Sequence, residues 1–482
     1  MVVLVYTKRG NSMNFYTNFV GFMNNLLYQP YIVPLFLIVA GLVFTFGTKF
    51  IQFRCAKETF RVVKEKPAEE GGISSFGALM VSTASRVGTG NIIGVSTALC
   101  TGGPGAIFWL WVTALLGGAS AYVESALAQI YKRRDEDGSS YGGPSYYMET
   151  ALGQRWLGVV FAVIIILTYA VGYNMLASYN LQSCFAAFSF YKEGITPLVI
   201  GVILALLFGT IIYGGAKRLT KATSILVPLM GVLYIAVALL VMILNVGKLG
   251  AMFGMIFRDA FNFKAIFGGF FGSCIMWGIK RGLYSNEAGM GSAPNAAATA
   301  DVTHPAKQGL VQMLSVFIDS LLICTATAFM CLSTGVVPTV EQSGAPYVQA
   351  AMAETLGGFG PVFIAISLSL FAFTTLIGNY YYCEGCLRFI LKHKPSQTLI
   401  GIFRVIATIL VLVGAVLSAG IVWDTADMLQ GLMVVINIPV ILILAKPAFA
   451  CLEDYMAQRK EGKEPVYNAK ACGVKQDTEY WN

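Results

Sequence analysis

The sequence predicts an all-α polytopic membrane protein with about eleven transmembrane helices, and three observations support this fold class. Its 482 residues are 56% hydrophobic and only 12% charged, and the mean hydropathy is +0.68, whereas a soluble chain carries roughly twice that share of charge. Apolar runs of about 20 residues, the length that spans ~30 Å of hydrocarbon, recur along the chain. Glycine occurs 51 times, and glycine lets membrane helices approach closely or break.

Composition also limits the classes of function. The formal net charge of +8 comes from basic residues dispersed between apolar runs, which is typical of cytoplasmic loops and gives no indication of a nucleic-acid partner. The ten cysteines lie mostly inside apolar runs, which indicates packing thiols rather than structural disulfides. The two histidines, His304 and His393, are too few for a haem or a His-rich metal site. No phosphate loop or nucleophile with an adjacent base is recognisable, so we expect neither an enzyme nor a bound cofactor.

Eleven apolar segments are long enough to be predicted as spans. Their bounds are 31–50, 76–100, 107–130, 156–188, 197–213, 222–245, 266–284, 308–335, 359–390, 398–419 and 423–446. Basic residues concentrate in alternate loops and in the tail, at 49–66, 132–134, 217–221, 388–394 and 459–463. The opposite loop, 336–358, contains no Lys or Arg. Because cytoplasmic loops are enriched in Lys and Arg, we expect a multi-pass monomer in the plasma (inner) membrane lipid bilayer, with the N-terminus outside and the C-terminus in the cytoplasm.

An internal repeat becomes visible when residues 76–98 are aligned with 271–293, an offset of 195. Both segments then read R-x4-N-x2-G-x3-A, and the aligned pairs are Phe76 with Phe271, Gly77 with Gly272, Arg86 with Arg281, Asn91 with Asn286, Gly94 with Gly289 and Ala98 with Ala293. The first segment runs outward and the second inward, which indicates inverted five-helix repeats. The predicted units are an N-terminal segment with the first span (1–70), the first repeat (71–250), the second repeat (251–446) and a cytoplasmic tail (447–482).

Two segments, 85–91 and 278–291, break the rules for membrane helices because each places glycine and polar residues at mid-span depth. Glycine weakens a helix by ~1 kcal/mol per residue, and polar side chains are expensive in lipid. One interpretation is a kinked helix whose polar groups are satisfied by neighbours. The other is a discontinuous helix, whose exposed N–H groups hold a carboxylate and whose freed C=O groups hold a cation. The recurrence of the break at symmetry-related positions favours the second interpretation.

Polar side chains inside the spans form a candidate structural or gating network, which comprises Arg86, Glu124, Arg281, Asn286, Glu287 and Asp319. Arginine stays charged and requires an anion or carbonyl groups nearby. Structural pairing predicts Arg86 beside Glu124 or Asp319. It also predicts Arg281 beside Glu287. The alternative is that Asp319 takes part directly in cation binding or gating.

The predicted ninth span carries Thr374 and Thr375 in an otherwise apolar stretch. Their hydroxyls either bond back to the preceding helical turn or coordinate a cation, and the residues alone favour neither.

Four motifs carry a resemblance to a known family: GTGNIIGVSTAL at 88–99, GGPGAIFWLW at 102–111, YGGPSYYME at 141–149 and KRGLYSNEAGMGSAP at 280–294. They resemble the alanine/glycine:cation symporter family of sodium:amino-acid symporters, over nearly the whole chain from about residue 70 to 450. That family is similar to the leucine-transporter fold with an added first helix. The resemblance implies cation-coupled import of a small neutral amino acid, alanine or glycine, by alternating access. It implies Na⁺ as the cation with H⁺ as an alternative. The competing functions are a substrate-gated channel and a sensor with a transporter fold.

The resemblance also implies two sets of site residues. Those that meet the carboxylate or amino group of the substrate are Thr89, Gly90 and Asn91. Those that coordinate Na⁺ are Ala84 and Val87, through their carbonyls, and Thr374 and Thr375, through their hydroxyls. No other metal is implied.

Two positions depart from the family pattern. Many members carry Gln where this chain has Ala177, and Trp where it has Asn379, and the resemblance implies that both positions line the substrate pocket. Ala177 makes room there, and the amide of Asn379 can both donate and accept hydrogen bonds. These two residues extend the candidate substrates from alanine and glycine to a larger neutral amino acid such as glutamine.

Overall fold

The computed structural model describes residues 2–29, 31–69, 72–135, 138–262 and 274–481, with the backbone alone for 2–14 and 216–217. Helices dominate it, and the strands within these residues form one two-residue hairpin, Arg133–Arg134 with Ser140–Tyr141. Eight helices in the described part are long and apolar enough to cross a membrane, and one apolar helix, Thr196–Ile212, is shorter. The all-α membrane architecture is therefore confirmed, whereas the count of eleven spans stays a prediction.

Four helices precede the repeats. They are α1 (Val2–Tyr28), α2 (Ile32–Gly47), α3 (Ile51–Arg54) and α4 (Ala56–Val63). The candidate span Phe15–Gly47 runs through α1 and α2, and the start of the first crossing at residue 31 stays a prediction.

The first repeat has a broken first helix. Its helices are α5 (Ser75–Arg86), α6 (Val95–Gly102), α7 (Gly105–Ile130), α8 (Pro144–Leu152), α9 (Arg155–Ile166), α10 (Asn174–Ser183), α11 (Thr196–Ile212) and α12 (Gly215–Leu244), and α13 (Leu249–Ala260) crosses the predicted boundary between the repeats. π-helical segments precede α6 (Gly90–Gly94) and join α9 to α10 (Leu167–Tyr173), and 3₁₀ turns lie at Cys184–Ala187 and Val246–Lys248.

The second repeat follows the same order. Its helices are α14 (Cys274–Asn286), α15 (Pro294–Ala297), α16 (Pro305–Val316), α17 (Thr325–Thr334), α18 (Ala345–Leu356), α19 (Phe359–Leu391), α20 (Gln397–Val416) and α21 (Ala419–Ile443). A π-helical segment, Phe317–Cys324, joins α16 to α17, and a 3₁₀ turn, Val340–Gln342, precedes α18. Phe271, Gly272 and the start of the predicted span 266–284 lie outside the described residues. The boundaries of the predicted repeats, 71–250 and 251–446, stay a prediction.

Polarity is distributed as a bilayer requires. Leu206, Val232 and Ile402 are 65%, 70% and 53% exposed on the outer faces of their helices, where lipid would cover them. Glu124 and Asp319 are 0% exposed, because charged groups in a membrane protein face the bundle interior. The repeats therefore enclose a polar centre within an apolar surface.

The C-terminal part folds back onto the end that carries the basic loops. Helix α22 (Ala445–Lys460) follows α21 directly. Lys49 pairs with Glu453 at 2.9 Å, and Trp481 Nε1 donates to the carbonyl of Gln129 at 2.7 Å. The basic loops and the tail thus share one end of the molecule, and its assignment to the cytoplasm stays a prediction.

Candidate functional site

The first helix break releases two backbone carbonyls. Helix α5 ends at Arg86, and the amide of Gly88 donates to Asn91 Oδ1 at 2.7 Å instead of continuing the helical ladder to Ala84. The amide of Asn91 donates to the carbonyl of Gly88 at 3.2 Å, one residue short of the helical partner, Val87. The carbonyls of Ala84 and Val87 therefore lose their helical donors, as a discontinuous helix predicts.

Glycine is required at two positions of this break because other helices approach closely. A Cβ at Gly88 would collide with Thr375 Oγ1, and a Cβ at Gly90 would lie 2.8 Å from Tyr284 Cε1. Gly378 on α19 is equally close, because a Cβ there would lie 2.5 Å from the Ser85 amide nitrogen. Helices α5 and α19 thus touch directly at the break.

The two threonines of α19 behave differently. Thr374 Oγ1 donates within its own helix, to the carbonyls of Leu370 and Phe371 at 3.0 and 3.1 Å. Thr375 Oγ1 is buried and has no hydrogen-bond partner within the part of the chain that the structure describes. The back-bonding interpretation therefore fits Thr374, and a ligand role fits Thr375.

The second helix break is filled by a carboxylate of the protein itself. Glu287, Gly289 and Gly291 have φ of 54°, 84° and 80°, so the chain leaves the helical path there. The amides of Gly289 and Gly291 donate to the two carboxylate oxygens of Glu124 at 3.4 and 3.0 Å. Asn437 Nδ2 donates to the same carboxylate at 3.0 Å. These amides are thus occupied, which leaves the first break as the candidate site for a substrate carboxylate.

Asp319 binds the first break from the opposite repeat. Its Oδ1 accepts from Asn91 Nδ2 at 2.7 Å, and its Oδ2 accepts from Ser285 and Ser320 at 2.8 and 2.9 Å. Asn91 therefore caps Gly88 and contacts Asp319 through its side chain, and its contact with a substrate stays a prediction. Asn286, its counterpart in the second repeat, likewise accepts from a nearby amide and donates to Ser320.

The predicted pairing of Arg86 is wrong. Its Nη1 donates to the carbonyl of Gln312 at 3.1 Å, and no carboxylate in the described part lies within ion-pair distance. Its Nε and Nη2 have no hydrogen-bond partner there.

The predicted pairing of Arg281 with Glu287 is also wrong. Arg281 pairs with Asp427 of α21 at 3.3 Å, and Lys280 pairs with the same carboxylate at 2.6 Å. Glu287 lies beyond the end of α14 in a left-handed conformation, which turns its side chain away. Its carboxylate accepts from Ser85 and Ser292 at 3.0 and 2.8 Å instead.

A polar chain crosses the centre of the bundle. Ser85 Oγ, which donates to Glu287, lies 2.7 Å from Asn379 Oδ1. Asn379 Nδ2 donates to Asn174 Oδ1 at 3.0 Å. These hydrogen bonds connect α5, the second break, α19 and α10, and they bring Asn379 beside the first break.

Helix α10 also reaches the second half of the first broken helix, which begins at Thr89. Asn180 Nδ2 donates to Thr89 Oγ1 at 3.0 Å, and Thr89 also lies 3.4 Å from the hydroxyl of Tyr284. Ala177 is fully buried on the same helix. Asn174, Asn180 and Asp427 are not recognisable as site residues from the sequence, because a single polar residue in an apolar run carries no periodic signal.

A cavity of about 940 Å³ opens at the end of the molecule that carries the basic loops. Its lining includes Gly77 of α5, Asn295 of α15, Tyr381 of α19 and Tyr480 of the tail. Tyr381 donates to Thr299 at 2.9 Å, and Tyr381 lies only two residues from Asn379. The cavity is therefore lined in part by α19, the helix that also carries Asn379.

Comparison with known proteins agrees with this geometry. The model of the sodium:alanine symporter family matches residues 13–469. The chain is 45% identical over 446 residues to the amino-acid carrier protein AlsT of Bacillus subtilis (strain 168), covering 92% of this chain and 94% of AlsT. It is also 45% identical over 451 residues to the Bacillus subtilis protein named "Probable sodium/glutamine symporter GlnT", covering 93% of this chain and 92% of that protein.

A solved structure supports the fold. The crystal structure of MhsT in complex with L-phenylalanine has a TM-score of 0.51 and 15% sequence identity to this chain, covering 85% of this chain and 95% of MhsT. At this identity the likeness shows the fold alone, and it confirms the leucine-transporter-like arrangement.

Proposed function

This chain belongs to the sodium:alanine symporter family, and we propose that it imports a small neutral amino acid together with Na⁺ by alternating access. The substrate and the ion would meet at the first helix break, between the two inverted repeats.

One observation carries this proposal: the hydroxyl of Thr375 faces the point where α5 releases its carbonyls. That hydroxyl is buried without a partner in the described residues, and only a glycine fits opposite it at position 88. Hydroxyl and carbonyl oxygens are hard ligands that suit a small cation. We assign the carbonyls of Ala84 and Val87 and the hydroxyl of Thr375 to Na⁺, with Thr374 as a weaker ligand.

The substrate carboxylate would bind at the start of the second half of the first broken helix. The first N–H groups of a helix lack helical partners and attract an anion, and here they belong to Thr89 and Gly90. Gly90 keeps this surface open because it has no side chain beside Tyr284. Ala177 and Asn379 would form the walls that select the side chain.

Contacts at the two ends of the bundle suit alternating access. At one end, Lys280 and Arg281 pair with Asp427 and join α14 to α21. At the other end, the Tyr381–Thr299 bond joins α19 to the segment after α15, next to the open cavity. We propose that opening one end requires closing the other, because both contacts involve the second broken helix or the segment that follows it. A substrate or ion shifts this balance only through its different affinity for the two states.

Uptake into proteoliposomes tests the proposal. Labelled alanine and glutamine would be supplied under an inward Na⁺ gradient, under a matched K⁺ gradient and under a proton gradient alone. We expect accumulation above the external concentration with Na⁺. Equilibration without accumulation would indicate a channel, binding without uptake would indicate a sensor, and accumulation under the proton gradient alone would assign the coupling to H⁺.

A further inference from the structure

Two buried amides on α10 lie beside the proposed substrate site. Asn180 contacts Thr89, where the substrate backbone is proposed to bind. Asn174 contacts Asn379, on the wall of the site. Asn174 and Asn180 are 0% and 1% exposed, and Ala177 lies midway between them on the helix. The residue between the two amides therefore has one of the smallest side chains.

Each amide keeps one polar atom free. Asn180 Oδ1 and Asn174 Nδ2 are buried and have no hydrogen-bond partner among the residues that the structure describes. A buried polar atom left unpaired is costly, and native proteins pair nearly all of them. An acceptor at one end suits an ammonium group, and a donor at the other end suits a carbonyl oxygen.

Both polar atoms of the Asn379 amide already have partners within the protein, so this amide offers no unpaired atom to the side chain of the substrate. Its oxygen lies 2.7 Å from Ser85 Oγ, and its nitrogen donates to Asn174 Oδ1 at 3.0 Å. Selectivity for a polar side chain therefore passes to Asn174. This differs from the sequence-based expectation, in which Asn379 itself supplied the polar contact.

The distance between the two amides favours a substrate longer than alanine. An α-helix rises about 1.5 Å per residue, so Asn174 and Asn180 lie ~9 Å apart along the axis. Alanine and glycine have no polar side-chain atom that could approach Asn174 while their ammonium contacts Asn180. A side chain that ends in a carboxamide has such a polar atom, its carbonyl oxygen.

We propose that Asn174 is a specificity-determining residue whose Nδ2 donates to the side-chain carbonyl of a carboxamide amino acid such as glutamine. In the same complex Asn180 Oδ1 accepts from the substrate ammonium. This assignment rests on the proposed function of the site and names the substrate class that it selects.

The ratio of uptake efficiencies for glutamine and alanine in proteoliposomes tests the assignment. In Asn174→Ala the glutamine carbonyl loses its donor, so we expect the ratio to fall about tenfold. The efficiency for alanine should fall by a smaller factor, because an alanine complex loses only the hydrogen bond between Asn174 and Asn379. Thr168→Val is a matched control, because this buried hydroxyl in the same span donates only to the carbonyl of Ile164, at 2.7 Å. It should leave the ratio unchanged.

If Asn174→Ala fails to fold, a competition experiment on the unaltered protein tests the preference for a carboxamide side chain instead. Methionine resembles glutamine in length but lacks the amide, so it should inhibit alanine uptake about tenfold less effectively than glutamine. An unchanged ratio in an active Asn174→Ala protein, or equal inhibition by methionine and glutamine, would overturn the role of Asn174. Na⁺-driven alanine uptake would then still support the proposed function, whereas its absence from the unaltered protein would refute that function.

Discussion

Glu124 and Asp319 occupy equivalent positions in the two repeats, 195 residues apart, and each carboxylate binds the discontinuous helix of the opposite repeat. Glu124 accepts from the amides of Gly289 and Gly291. Asp319 accepts from Asn91, which caps the first break. Each break is therefore held open by an acid from the other repeat, and this symmetry extends beyond the segments whose alignment revealed it.

Replacing Glu124 by glutamine should destabilise the protein. The substitution removes one of the two carboxylate oxygens, so a buried amide of the second break loses its acceptor, at a cost of about 1–3 kcal/mol. Thermal unfolding in detergent measures the effect as a lower midpoint temperature. Glu453→Gln is the control, because its ion pair with Lys49 is 61% and 65% exposed and surface substitutions of this kind change stability by only about 0.5 kcal/mol. Equal midpoints for the two variants would argue against a supporting role of Glu124.

Asp427→Asn should lower amino-acid uptake. The substitution leaves Lys280 and Arg281 without their shared counter-charge, and unpaired buried charges are strongly destabilising. We expect uptake to fall about tenfold or more, because the contact between α14 and α21 can no longer close. Asp424→Asn is the matched control on the same helix, since Asp424 makes no ion pair among the described residues. Equal loss of uptake in both variants would remove Asp427 from the closing contact.

The broken helices could be predicted from sequence because Arg86 and Asn91 recur in register at 281 and 286, where polar residues in lipid are unexpected. The side chains that contact those residues could not be predicted from the sequence. Arg281 meets Asp427, which lies 146 residues away on another helix, and the rotation of both helices decides that contact. Glu124 and Asp319 share the offset of 195, so this equivalence was visible in the sequence once the repeat was known. Asn174 required the structure, because only packing shows which side of α10 faces the site.

The stability of the protein should depend on pH through Lys132, which lies just after α7. Its Nζ lies 4.4 Å from the ring centroid of Tyr480 and 5.0 Å from that of Trp481, and burial lowers its pKa from 10.5 to about 7. Between these two values the unfolded chain binds the extra proton, so this residue makes stability rise with pH. We expect the midpoint temperature to rise more steeply between about pH 7 and 9 in the unaltered protein than in Lys132→Met. If the midpoint temperature changed with pH in the same way in both proteins, the result would contradict the lowered pKa of a buried Lys132.

The orientation in the membrane can be tested by cysteine labelling. Cys472→Ser provides the background, because the other nine cysteines, all within the described residues, are buried. A cysteine in place of the exposed Gln342 should react with a membrane-impermeant reagent from outside intact cells, since the loop 336–358 lacks Lys and Arg. A cysteine in place of Lys463, at the basic end, should react only after permeabilisation. The opposite pattern would invert the topology.

The most direct test of the account is the Na⁺ dependence of uptake in Thr375→Ala and Thr374→Ala. Thr375 offers a hydroxyl that has no other partner in the described part of the chain, whereas Thr374 bonds within its own helix. We expect Thr375→Ala to raise the Na⁺ concentration for half-maximal uptake about tenfold, equivalent to ~1.4 kcal/mol of lost binding, and Thr374→Ala to raise it much less. An unchanged Na⁺ dependence in a folded, active Thr375→Ala protein would contradict the proposed ion site.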